Sequence, residues 1–172
     1  MFENPLILFK NEQNKFVRKY FVHDPQAEIE FNLAKNSALY SSHTGHNFSV
    51  KPLLSTDYGE RVCCVLLGKN QAGLTYNNNF RGTAPRDTRQ LYSTMRVYGE
   101  ENLAAVLIAG NTDYLRSIED FLRAEEVPVL SKFVDGWELP EALRLKKSVL
   151  VIPERGEVIL KVESLGYLSL TP

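Results

Sequence analysis

One short apolar run, Leu103 to Ala109, closed by Gly110, constrains this chain more than any other feature. A run of that length falls far short of the roughly 20 residues a membrane span needs. It has no polar residue on either face, so it suits a strand buried on both sides. Such a strand needs a covering layer on each face, and amphipathic elements stand on both sides of it in the chain. Upstream, residues 87–98 carry Leu91, Met95 and Tyr98 at helical spacing, with Asp87 as expected N-cap, Gln90 completing a capping box and Gly99 as a stop. Downstream, Asn111 and Thr112 offer cap side chains to residues 113–126, where Leu115, Ile118 and Leu122 form one stripe with Phe121 at its margin. Pro128 ends that helix, Val129 and Leu130 open another extended piece, and Asp135-Gly136 makes a turn before Trp137. Helix, buried strand, helix, strand predicts an α/β core.

The remaining segments read mainly as strands. Residues 6–9 and 16–22 flank the polar turn Asn11–Asn14 as an expected hairpin, and Ile29, Phe31 and Leu33 alternate with Glu30 and Asn32 as in a half-buried strand. Residues 40–47 and 76–87 are polar enough for loops. The run Val62–Leu67 is a buried strand that turns at Gly68-Lys69-Asn70 and returns as 72–76, and 149–152 and 157–162 form a closing hairpin around Pro153–Gly156. The fold class expected is therefore α/β: a mixed β-sheet with two main helices packed on it. Residues 1–50 add a β-rich N-terminal region to a core of 51–172, within a single domain.

Charge and cysteine usage narrow the function classes. The 172-residue chain is 44% hydrophobic and 24% charged with a formal net charge of −1, so no nucleic-acid partner and no membrane insertion are expected. The first residues lack the pattern of a secretory leader. Cys63 and Cys64 are neighbours, which rarely bond to each other, and two free thiols point to a reducing compartment such as the cytoplasm. No cofactor is implied. His43 and His46 form an H-x-x-H pair, but no other ligand type stands near at metal spacing, so no metal is expected and a polar loop explains them better. Asn77–Asn79 read as loop residues, and Gly110-Asn111-Thr112 has one glycine where a dinucleotide loop needs several. Trp137 fits a lid on the core or an exposed anchor, and Arg81, Arg86 and Arg89 with Lys51 and Lys69 a solvated face.

In their order, residues 56–162 resemble CheD, the chemoreceptor glutamine deamidase family. The resemblance rests on a strand hairpin ending in Gly73-Leu74-Thr75-Tyr76, a helix, a buried strand closing in Ala109-Gly110-Asn111, a second helix, Val127-Pro128-Val129, Asp135-Gly136-Trp137 and a last hairpin turning at Arg155-Gly156. It implies a layered sandwich of the CheD type. The family uses a Cys nucleophile, a His on the partner strand and a nearby Thr. The simplest alignment puts Val62 at the cysteine, Tyr76 at the histidine and Thr56 near the threonine, whereas a shift of one or two residues puts Cys63 or Cys64 at the nucleophile. Val62 and Cys64 share a strand face and Cys63 takes the other. No histidine follows residue 46, so the thiol lacks its expected base unless His43 or His46 approaches in space. The resemblance thus implies a degenerate, non-catalytic relative that binds a receptor or signalling protein. An active cysteine-dependent protein-glutamine deamidase and a structural or assembly protein with the same topology are the alternatives.

Overall fold

The computed structural model describes residues 6–40, 45–58, 62–76, 83–109, 112–134 and 146–171. The chain opens on the expected hairpin, β1 (Leu6–Lys10) and β2 (Phe16–Tyr20). Asn11 makes its turn: the side-chain oxygen accepts from the amides of Gln13 and Lys15, both at 3.0 Å, while Asn14 takes a φ of 61°.

The next segment departs from the sequence reading. The alternation at Ile29, Phe31 and Leu33 predicts a strand, yet Pro25–Ala34 is a helix, α1. Asp24 Oδ1 accepts from Gln26 N at 2.9 Å and Pro25 takes the first turn, a start signal that outweighs the alternation. Phe31 is buried with Ala27 one turn before it, while Ile29 and Leu33 are 54% and 72% exposed. The apolar residues that matter here are spaced by four, not by two.

Among the described residues ten further strands and two helices follow: β3 (Leu39–Tyr40), β4 (Gly45–Ser49), β5 (Leu53–Tyr58), β6 (Val62–Leu67), β7 (Ala72–Tyr76), α2 (Thr83–Val97), β8 (Ala104–Ala109), α3 (Thr112–Ala124), β9 (Val129–Val134), β10 (Lys147–Ile152), β11 (Glu157–Val162) and β12 (Gly166–Ser169). They form two sheets, one of seven strands in the order β2-β1-β9-β8-β6-β7-β4 and one of five in the order β12-β11-β10-β5-β3. In the larger sheet β8 lies antiparallel to β6 on one side and parallel to β9 on the other, so the sheet is mixed and the organising strand is interior, as expected. The polar stretch 40–47 is not all loop, because Gly45–Ser49 pairs with β7.

The layers follow from side-chain alternation. Cys63, Val65, Val106, Ile108 and Phe133 face Leu53, Val149, Val151, Val158 and Leu160 across the two sheets. On the opposite face of the larger sheet, Val62, Cys64, Leu66 and Leu107 meet Leu91 and Met95 of α2 and Leu115, Ile118 and Leu122 of α3. Helix α1 covers the outer face of the smaller sheet at Leu150, Ile152 and Ile159. Leu91, Met95, Leu115, Ile118 and Leu122 are buried as the two stripes predict, whereas Tyr98 is 67% exposed, and the core lies in three layers rather than in one mass. Gly73 lets α2 approach β7, since a Cβ there would stand 2.6 Å from Leu91 Cδ1.

Helix α2 begins at Thr83, so Asp87 lies inside it and not at its cap. Pro85 is tolerated in the first turn, where an amide donor has no partner to lose. Its end is as expected: Gly99, at φ 93°, donates to Arg96 O, and Glu100 N donates to Met95 O. His43, Asn77–Asn79, Arg81, Gly110, Asn111, Asp135, Gly136 and Trp137 lie outside the described residues.

Candidate functional site

Three adjacent strands, β6, β7 and β4, carry a polar row on the face that α2 covers. Cys64 on β6 is fully buried, and its amide donates to Thr75 Oγ1 on β7 at 3.0 Å. Thr75 pairs in turn with His46 on β4. The backbone ladder between β6 and β7 runs from Leu67–Ala72 to Val65–Leu74, so the Thr75 hydroxyl takes the Cys64 amide where that ladder stops. Above the row, α2 presents Asp87 and Thr88, both buried. A thiol, two hydroxyls, a carboxylate and an imidazole therefore share one helix-covered patch.

The electrostatics of the patch do not favour a thiolate. Burial pushes the Cys64 thiol far above its ordinary value, and the neighbouring Cys63 adds to the effect. The Thr88 hydroxyl opposes the shift weakly, and its oxygen is buried without a well-formed hydrogen bond. Burial also raises the Asp87 carboxyl, against the opposing pull of Arg86, 3.9 Å away, and of His46. Nδ1 of His46 is buried and makes no hydrogen bond among the described residues. Cys64 and His46 stand two strands apart, about 10 Å between backbones at the usual strand spacing. Two side chains standing side by side on one sheet face do not close that gap, so Cys64 and His46 form no direct nucleophile–base pair.

The other sequence candidates are spread over different layers. Cys63 is buried between the two sheets, facing away from Cys64. Thr56 is half-buried on β5, in the sheet that Cys63 faces and Cys64 does not. Val62 is buried beside Cys64 on the helix-covered face and pairs with Ala109. Tyr76 stands on the strand adjacent to Val62, as expected, and pairs with Gly45 on its other side. Extending the β6–β7 register sets Tyr76 opposite Cys63, one residue out of step with Val62.

Thr88 escaped the sequence reading, although one signal marks it, and Thr75 entered only within the Gly73–Tyr76 motif. Thr88 precedes Leu91 and Met95 by three and seven residues, a polar residue on the buried stripe. His46 entered as a loop residue and as a base only if it approached the thiol in space, and its place beside Thr75 depends on a strand pairing across nearly thirty residues of chain. Among the described residues no group of three or more His, Cys, Asp or Glu side chains is placed to hold a metal ion, and no helix is long and apolar enough to cross a membrane. No protein-family model matches this sequence, and no curated protein matches it either.

Proposed function

We propose that this chain is a CheD-like protein whose deamidase chemistry is degenerate and which acts by binding a receptor or signalling protein. The observation that carries this reading is the state of Cys64. It is the thiol on the same strand face as Val62, yet it is wholly enclosed and its burial opposes ionisation. A thiol nucleophile must be exposed to its substrate and substantially ionised near neutral pH. The reading is tested by native-state alkylation at neutral pH and by ammonia release from a glutamine-bearing receptor peptide. Cys64 is expected to react only as fast as the protein unfolds, and no ammonia is expected.

A second reading, an active cysteine-dependent deamidase, draws on the alignment of Cys64, Thr75 and His46 across three strands with Asp87 above them. In that case His46 would act as base through Thr75. Ammonia release by the unaltered protein, lost in both Cys64→Ala and His46→Ala, would establish it and overturn the first.

A further inference from the structure

The hairpin β1–β2 has no role in the thiol patch, and its outer edge combines unpaired backbone, cations and exposed apolar side chains. β2 ends the seven-stranded sheet, so no strand covers its outer side among the described residues. The turn bond from Asn11 N to Lys15 O marks that pair as hydrogen-bonded. Pairs in an antiparallel ladder alternate, so Val17 and Lys19 point their amides at β1, while Phe16, Arg18 and Tyr20 point theirs outward. Four cations, Lys10, Lys15, Arg18 and Lys19, lie in residues 6–22 against one carboxylate, Glu12, in a chain of net charge −1. None of the four has an ion-pair partner among the described residues. Phe16, Val17, Tyr20 and Val22 are 36%, 40%, 69% and 69% exposed. Beside them runs a groove of about 420 Å³ whose lining includes Ile7, Phe9, Lys19, Val22 and Leu168.

We propose that the β2 edge receives an extended acidic peptide segment, which adds as a further strand and lodges apolar side chains in this groove. Outward amides and carbonyls supply the strand pairing, the groove takes alternate side chains, and the unpaired cations take the carboxylates between them. A second copy of this chain is a poor occupant. Pairing β2 with itself about Arg18 sets arginine against arginine, and like charges directly opposite repel. The inference rests on the binding-protein reading and names the surface and partner chemistry it would use.

The test is an anisotropy titration of the full chain with a fluorescein-labelled peptide alternating Asp or Glu with Leu or Phe. Binding that weakens with salt is expected. Arg18→Pro removes an outward amide while leaving the bonds to β1, and should weaken binding about tenfold, equal to the loss of roughly 1.4 kcal/mol. If Arg18→Pro does not fold by circular dichroism, the paired reversal Arg18→Glu with Lys19→Glu replaces it and should switch preference to a lysine-bearing peptide. Absence of peptide binding, or binding indifferent to these variants, overturns the proposal. So does tighter, competing binding of a thymidine oligonucleotide of equal charge, or a dimer that Arg18→Pro dissolves. Cys64-dependent ammonia release would remove the binding-protein reading while leaving edge binding measurable. Failure of the peptide with an inert thiol removes the edge proposal alone.

Discussion

At the scale of single residues, two positions run against their ordinary preferences. Glu157 on β11 meets Glu30 of α1, with Arg155 3.2 Å from Glu30 and 3.4 Å from Glu157. Burial, then the neighbouring Glu30, raises the Glu157 carboxyl to about 7, while the proton Glu157 shares holds Glu30 below its ordinary value. A raised folded-state pKa means that the native protein holds this proton more tightly than the unfolded chain. Glu157 therefore contributes stability that is complete below its unfolded value and is lost as the pH rises through about 7. Glu30 has the opposite sign and loses its contribution only in acid. Urea midpoints should fall across that upper window, and Glu157→Gln should flatten the fall. The second position is Glu126, which caps α3 at φ 57° where glycine is the usual residue. Val127 N donates to Leu122 O and Glu126 N to Arg123 O, the same closure that Gly99 makes on α2. Glu126→Gly should raise stability by about 0.5–1 kcal/mol, read as an increased melting temperature.

At the scale of elements, the β6–β7 hairpin depends on a residue thirty positions away. Glu100, buried just past α2, accepts from the amides of Lys69 at 2.8 Å, Asn70 at 3.0 Å and Gln71 at 2.8 Å. The carboxylate gathers the turn and ties it to the end of the helix that covers the thiol patch. An amide in its place keeps one acceptor oxygen and sets an N–H against a donor. Glu100→Gln should therefore cost about 2–3 kcal/mol in denaturant unfolding, and amide exchange should quicken at 69–71. Turn residues Gly68-Lys69-Asn70 announce this hairpin in the sequence, but nothing local announces the carboxylate that holds it. The same holds for α1. Its cap at Asp24 and Pro25 is readable, yet the alternation that follows favours a strand until α1 is seen against Ile159.

At the scale of the whole molecule, the two sheets share one interior, within which the buried Ser131 Oγ donates to Leu170 O at 2.6 Å. Ile108 sits fully buried in that interior, on the strand that organises the chain. Ile108→Ala should cost about 2–5 kcal/mol through lost transfer and a residual cavity. Both sheets should still unfold in one transition, and separate transitions by fluorescence and circular dichroism would show that they are independent units. The sequence alone determined the local classes wherever a pattern was strong. The apolar run around Ile108 had to be an interior strand, the stripes of Leu91–Met95 and Leu115–Leu122 had to be helix faces, and Gly99 had to end one of them. What tertiary structure alone decided was partnership. Periodicity says which face of an element is apolar but not which other element covers it, so the division into two sheets and three core layers was not legible. Nor was the meeting of Cys64, Thr75, His46 and Asp87, because strand pairing and helix placement join residues far apart in the chain through contacts that leave no spacing rule behind.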